Sequence, residues 1–151
     1  MKKNKHLTVL TLAAAALVFV CLASATQAAE NAGKEAEVRV LYLEIVTSDV
    51  DATCTLLEEL QGVKFGEPEA ALGNARTAAL AGGGRIGVRA PLHETETPVV
   101  RPYLKVEDME AAFGQVEAAE SQVLMAPTPD QKGGHFAIYL LGGIQHAVWQ
   151  P

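Results

Sequence analysis

The chain has 151 residues, of which 12 are basic and 18 acidic, giving a net charge of −6. This length suits a single domain, and an acidic chain without a basic stripe argues against binding nucleic acid or an anionic membrane surface. After residue 28 the only cysteine is Cys54. Cys54 therefore has no partner for an internal disulfide, and we expect it to be a small buried side chain.

Residues 1–28 have the order of a secretory signal peptide. Three lysines are followed by an apolar stretch at 7–22 and then by small residues up to Ala28, which is the arrangement typical of export signals. Cleavage after Ala28 leaves nine basic and 18 acidic residues, a net charge of −9. The sequence thus predicts a periplasmic or secreted protein without stable membrane association after cleavage. The alternative is an uncleaved membrane anchor, because the apolar stretch is just long enough to span a bilayer.

The first half of the predicted domain, residues 38–90, follows a polar lead-in at 29–37. A strand at 38–46 precedes a helix with Asp49 as its N-cap and Gly62 as its C-terminal stop. Apolar residues recur at helical spacing in this helix, namely Val50, Cys54, Leu57 and Leu60. Short strands are predicted at 63–65, 76–81 and 85–90, with a three-glycine turn at 82–84.

The second half, residues 101–151, repeats this order after a polar connector at 91–100. A strand at 101–106 precedes a helix capped by Asp108, and strands follow at 122–125, 136–141 and 144–149. Residues 127–134 are predicted to form a loop. Each half is therefore expected to be one β-α-β-β-β module.

The two first strands share a sequence pattern. Tyr42-Leu43-Glu44-Ile45 precedes Asp49, and Tyr103-Leu104-Lys105-Val106 precedes Asp108, about 60 residues later. This duplication, together with the segments 101–112 and 134–150, resembles the vicinal oxygen chelate superfamily of glyoxalase I, bleomycin-resistance proteins and extradiol dioxygenases. The resemblance implies an α+β fold in which two tandem βαβββ modules form a curved, partly open sheet with helices outside and a central cavity. It also implies a homodimer.

The resemblance further implies positions for a divalent metal ion, which many enzymes of that superfamily hold with residues of the first and last strand of each module. In this chain those positions are Tyr42, Gly87, Tyr103 and Ala147. A neutral phenol is a poor ligand at neutral pH, and Gly and Ala have no donor atom. We therefore expect no metal cofactor. A slip of one residue in the last strand would bring in His146, but it would turn Val148 out of the core.

The alternation of side chains predicts which residues face the cavity. The face opposite the helices should hold Tyr42, Glu44, Arg89, Tyr103, Lys105 and Trp149, with His135 at the cavity mouth. Aromatic walls and a few fixed charges suit a small, partly apolar ligand, and an anionic group on it would meet Arg89 or Lys105. Gly87 and Ala147 should leave room for it.

Structural interpretations of the same residues stay open. Glu44 and Lys105 would form a buried ion pair between the modules, and Trp149 would fill the core. His93 is expected to be a solvated loop residue and His146 a structural one.

Four functions are compatible with this pattern. The first is an exported small-molecule-binding protein that needs no metal. The second is a metal-dependent lyase or dioxygenase with atypical ligands such as Glu44 and His135. The third is a metal-free enzyme in which Tyr42 or Tyr103 is a general acid or base, which requires a lowered phenol pKa. The fourth is a purely structural role. No residue is assigned as catalytic.

Overall fold

The computed structural model describes residues 37–151. The predicted signal peptide at 1–28, and the predicted lead-in apart from Glu37, lie outside the described residues. Within the described part of the chain, no helix combines the length and the apolar character needed to cross a membrane.

Each half of the domain begins with a strand and a helix. The first half consists of β1 (Val40–Val46), α1 (Val50–Gln61), a 3-10 turn (Ala70–Leu72), β2 (Arg76–Ala79) and β3 (Arg85–Arg89). The second half consists of β4 (Val99–Lys105), α2 (Met109–Ala118), β5 (Gln122–Pro129), β6 (His135–Leu141) and β7 (Ile144–Gln150). The predicted α+β class is confirmed. The second half has the predicted β-α-β-β-β order, and the first half has the same order with one strand fewer.

The seven strands form one open sheet in the order β2-β3-β1-β4-β7-β6-β5. β1 and β4 pair antiparallel at its centre, where Tyr42 lies opposite Tyr103 and Glu44 lies opposite Arg101. In each half the first strand pairs in parallel with the last, β1 with β3 and β4 with β7. Parallel neighbours need a crossover, which the intervening helix supplies. β2 and β5 are the edge strands, and two register shifts interrupt the pairing of β5 with β6.

Helix α1 covers one face of the first half. Cys54 is buried with Phe65, Ala78 and Val88, as expected for a small apolar side chain. Gly62 follows the helix as its C-cap, with a φ of 66° that is the left-handed conformation glycine adopts readily. Leu60 does not belong to the buried stripe: 65% of its surface is exposed, so that part of the prediction is wrong.

Helix α2 covers the same face of the second half. Its N-terminus is capped by Asp108, whose Oδ1 accepts a hydrogen bond of 3.0 Å from the backbone N–H of Ala111. Met109 packs with Ala137 and Val148 beneath it. Alternate side chains of each strand point to opposite faces of the sheet, and both helices cover the face that points away from the cavity.

The strand predicted at 63–65 does not form, so the first module has three strands. The backbone N–H of Phe65 donates to Glu58 Oε1 of α1 at 2.8 Å, and its side chain is buried under that helix. A backbone hydrogen bond from Gly66 to Thr77 joins the segment to β2. Pro68 lacks an N–H and cannot extend the ladder. The strand predicted at 122–125 is longer than expected, because β5 continues to Pro129. The predicted loop at 127–134 is correspondingly shorter.

Candidate functional site

The sheet face opposite the helices carries a cavity of about 600 Å³. Its walls come from both halves of the domain and from the connector between them. The lining includes the predicted Tyr42, Glu44, Arg89, Tyr103 and Trp149, together with apolar residues that were not predicted: Leu72, Leu92, Leu124, Met125, Phe136 and Ile138. The size is in the range, about 300–1,000 Å³, of pockets that hold small molecules.

Four aromatic rings form one wall of the cavity. The ring centroids of Tyr42 and Tyr103 are 5.6 Å apart, and Trp149 lies 6.3 Å from Tyr42 and 6.0 Å from Tyr103. Phe136 extends the group, 6.2 Å from Tyr103. These distances and the edge-to-face angles are favourable for aromatic pairs. The central pairing of β1 with β4 and of β4 with β7 brings these rings together.

The ring of Tyr42 occupies the space above Gly87. A Cβ atom built at Gly87 would lie 2.0 Å from the Tyr42 hydroxyl oxygen. The missing side chain therefore makes room for a tyrosine of the protein rather than for a ligand. Ala147 is likewise buried within the aromatic cluster. The prediction that these two positions leave room for a ligand is wrong.

The Tyr42 hydroxyl is buried and has no hydrogen-bond partner within residues 37–151. The Tyr103 hydroxyl, at the equivalent position of the second half, donates to Glu44 Oε2 at 3.2 Å. Burial, with the nearby Glu44 charge, raises the pKa of Tyr42 well above its ordinary value and that of Tyr103 to about 12. The general acid or base hypothesis requires the opposite shift, so the structure does not favour it.

Glu44 lies between two arginines at the base of the cavity. Arg89 Nε donates to Glu44 Oε1 at 2.7 Å, and Arg101 Nη1 donates to Glu44 Oε2 at 2.6 Å. All three side chains are at least 94% buried. Ions so far from water need both charge compensation and hydrogen bonds, and this arrangement supplies them across β1, β3 and β4.

The hydrogen-bonded network of Glu44 and the two arginines extends on both sides. Glu96 of the connector accepts two hydrogen bonds from Arg89, of 2.7 and 2.8 Å, and one from the backbone N–H of Leu92. The Arg89 guanidinium lowers the pKa of Glu96 to about 2. At the other end Arg101 donates to Gln145 Oε1. The connector is therefore attached to the base of the cavity by a two-bond ion pair.

Lys105 does not reach Glu44, so the predicted ion pair between them is wrong. Lys105 Nζ instead lies 2.6 Å from Glu107 Oε1, and it is not among the cavity-lining residues. The duplicated sequence made Glu44 and Lys105 equivalent positions of two strands. Those strands run antiparallel, and Tyr42 lies opposite Tyr103. Residues two positions after each tyrosine, Glu44 and Lys105, therefore lie in opposite directions along the strand pair.

The histidines lie apart from one another. His135 lines a separate groove beside α2, with Met109 and Phe113, rather than the mouth of the central cavity. His93 is exposed and lines the cavity rim from the connector. The ring of His146 stacks on Tyr139 on the helix side of the sheet, with centroids 5.3 Å apart, which agrees with a structural role.

The residues at the base of the cavity do not fit a divalent metal ion. The positions where the resembled enzymes hold a metal are two tyrosines with raised pKa values, a glycine and an alanine. The nearby carboxylate, Glu44, is bound on both oxygens by guanidinium groups, which would repel a cation. Within residues 37–151, no three His, Cys, Asp or Glu side chains are grouped closely enough to hold a metal. Glu44 and His135 in particular do not line a common cavity.

Asp130 fixes the rim of the cavity beside Trp149. Its Oδ1 accepts hydrogen bonds from the backbone N–H groups of Lys132 and Gly134, and its Oδ2 accepts one of 2.9 Å from the Trp149 indole N–H. Burial acts to raise the pKa of Asp130, but these hydrogen bonds outweigh it and lower the pKa. The loop after β5 and the aromatic wall are thereby held in one arrangement.

Sequence reasoning missed Arg101, Glu96, Asp130 and Gln145. Arg101 could have been found, because alternation along β4 places it on the same face as Tyr103. Gln145 could have been found in the same way from Ala147. Glu96 and Asp130 lie in loops, where no periodicity indicates which way a side chain points.

No protein-family model matches this chain, and no curated protein matches it. Solved structures do match. One is a glyoxalase/bleomycin resistance protein/dioxygenase superfamily member from Vibrio splendidus 12B01, with a TM-score of 0.59 at 14% identity over 76% of this chain and 100% of that one.

Two further structures are similar to a comparable degree. Methylmalonyl-CoA epimerase from Mycobacterium tuberculosis has a TM-score of 0.57 at 15% identity, over 74% of this chain and 87% of that one. A hypothetical protein from Bacillus halodurans C-125 has a TM-score of 0.60 at 14% identity, over 77% and 96%. At these identities the similarity concerns the fold.

Proposed function

Starting from the vicinal oxygen chelate fold that this chain has, we propose that it is an exported protein that binds a small, partly apolar molecule in its central cavity without a metal ion. The observation that supports binding most is the cavity itself. About 600 Å³ of space is walled by aromatic and aliphatic side chains over a base of paired charges. A few fixed polar groups within apolar walls are typical of small-molecule sites.

The metal-free part of the proposal is supported by the chemistry of the side chains. Two arginines adjoin the carboxylate at the base of the cavity, and the tyrosines beside it hold their protons at neutral pH. A metal-dependent lyase or dioxygenase would need donor groups that this arrangement does not offer.

The binding experiment uses the single tryptophan of the chain, Trp149, as its reporter. We expect some uncharged aromatic fragments to change Trp149 fluorescence and to raise the melting temperature by several degrees, since a ligand at about 100 times its Kd stabilises by about 2.7 kcal/mol. Leu124→Phe, which adds bulk to the cavity wall, should weaken binding. The matched control Leu60→Phe adds the same bulk to the exposed side of α1 and should not. Absence of binding across a broad fragment library would contradict the proposal.

Export and dimerisation are proposed on separate grounds. Export is supported by the basic, apolar and small-residue order of residues 1–28. Intact-mass measurement of the protein from the host envelope should give a chain that begins at Ala29, whereas a mass that includes Met1 would contradict cleavage. A homodimer is expected from the resemblance, and native mass spectrometry would measure it directly.

A further inference from the structure

The cavity lining contains more negative than positive side chains. Arg89 and Arg101 contribute two positive charges, and Glu44, Glu96 and Asp130 contribute three negative ones, a formal charge of −1 with histidine neutral. A site for an anion would be expected to show the reverse, an excess of unpaired cationic groups.

Both guanidinium groups are already occupied by the protein. Arg89 contacts Glu44 through Nε and Glu96 through both Nη atoms. Arg101 contacts Gln145 through Nε and Nη2, and Glu44 through Nη1. An anionic ligand would have to compete with carboxylates that are held in place by buried hydrogen bonds. The two arginines therefore serve the architecture of the cavity base rather than anion recognition.

Asp130 differs from the other two carboxylates because its partners are neutral. Its oxygens accept hydrogen bonds from two backbone N–H groups and from the Trp149 indole. In the described part of the chain, the ion pairs of the cavity are those of Glu44 and Glu96, and none includes Asp130. Asp130 is thus the charged residue of the cavity lining that forms no ion pair within the described chain.

The aromatic wall adjoins this carboxylate. Trp149 lines the cavity and is hydrogen-bonded to Asp130, and the rings of Tyr103 and Phe136 continue the wall. The face of an indole attracts a cation within about 6 Å of its centre, more strongly than other aromatic side chains do. A carboxylate next to an indole is a combination that favours organic cations.

We infer that the ligand of the cavity is an organic cation on an apolar body, with its alkylammonium group beside Asp130 and Trp149. This inference rests on the proposed small-molecule binding and specifies the charge of the ligand. It reverses the expectation from sequence, in which an anionic group would meet Arg89 or Lys105.

Three ligands that share a naphthylmethyl body and differ in the charge of the head group test it: (2-naphthylmethyl)trimethylammonium, 2-naphthylmethanol and 2-naphthylacetate. Isothermal titration with the purified protein should give the ammonium compound a Kd at least tenfold lower than that of the carboxylate, with the alcohol in between. Tightest binding of the carboxylate, or equal binding of all three, would overturn the inference and leave small-molecule binding intact. If none of the three binds while other fragments do, the inference is again overturned; if nothing binds at all, both proposals fall.

A pair of variants tests the role of Asp130. Asp130→Asn should lower the ratio of the alcohol Kd to the ammonium Kd by about tenfold, or bring that ratio to one if it is below tenfold in the unaltered protein. Glu110→Gln removes the same charge from the exposed surface of α2, outside the cavity, and should leave that preference unchanged. An unchanged preference in Asp130→Asn would overturn the assignment. Should Asp130→Asn fail to fold, the ranking of the three ligands on the unaltered protein still decides the charge of the ligand.

Discussion

We expect substitution by phenylalanine to change the free energy of unfolding in opposite directions at the two equivalent tyrosines, Tyr42 and Tyr103. Tyr42→Phe removes a buried hydroxyl that has no partner within residues 37–151, whereas Tyr103→Phe removes one that donates to Glu44 at 3.2 Å. A buried unsatisfied polar group costs about 1–3 kcal/mol. We therefore expect Tyr42→Phe to stabilise the protein, although most substitutions of buried residues destabilise.

The size of the change in the free energy of unfolding depends on the contacts of the Tyr42 hydroxyl. Against the relief of about 1–3 kcal/mol stands the loss of the few van der Waals contacts of that oxygen with Gly87, about 0.5 kcal/mol in total. The free energy of unfolding should thus rise by about 0.5–2.5 kcal/mol in Tyr42→Phe. Tyr103→Phe should lower it by about 1–2 kcal/mol, because the lost hydrogen bond has an ionised acceptor, while Glu44 keeps both arginines.

Urea unfolding of the three proteins, measured side by side without ligand, checks both signs. A change of 1 kcal/mol in a domain of this size also shifts the melting temperature by roughly 3–6 °C, so calorimetry gives an independent measure. If Tyr42→Phe lowers the free energy of unfolding as much as Tyr103→Phe does, the hydroxyl of Tyr42 is satisfied in solution and the reasoning is refuted.

Three more predictions address the glycine, the connector and the metal. Gly87→Ala should destabilise the protein by about 1–3 kcal/mol, because its Cβ would lie 2.0 Å from the Tyr42 hydroxyl. The control Gly114→Ala, whose Cβ would meet nothing within 4 Å, should stabilise the protein by about 0.5–1 kcal/mol. Equal shifts of the melting temperature in the two variants would contradict this prediction. The carboxylate of Glu96 has its pKa lowered to about 2 by Arg89, so its contribution to stability is present above the unfolded value of about 4.3 and is lost as the pH falls toward 2. Glu96→Gln should therefore cost about 2–3 kcal/mol at pH 7 and progressively less below about pH 4, and a constant difference in urea titrations across this range would count against the ion pair. Elemental analysis of the purified protein should find well under one divalent ion per chain, and chelation should leave the melting temperature unchanged; a stoichiometric metal would disprove the metal-free site.

The faces of the strands could be predicted from sequence, but positions along them could not. Alternation correctly placed Tyr42, Glu44, Arg89 and Trp149 on the cavity side. The partner of Glu44 depends on the register of β1 against β4, which places Arg101 opposite it. Periodicity contains no information on that register, so the predicted partner, Lys105, was wrong.

The segments that lack periodicity account for the remaining differences. Phe65 lies in a segment with strand-like residues, yet its N–H is bound by Glu58 of the preceding helix rather than by a neighbouring strand. Glu96 and Asp130 belong to loops, and their side chains are directed by tertiary contacts with Arg89 and Trp149. Local sequence preferences do not determine contacts of this kind.

The edge strand β5 has a consequence for how this protein meets other chains. An uncovered edge can act as a template on which a foreign strand adds to the sheet, with aggregation as the result. β5 contains Pro127 and Pro129, which have no N–H to donate, and its register is broken at two places. Only the stretch 122–126 offers uninterrupted backbone donors. The two prolines and the two register shifts therefore limit the addition of a foreign strand at the β5 edge of the sheet.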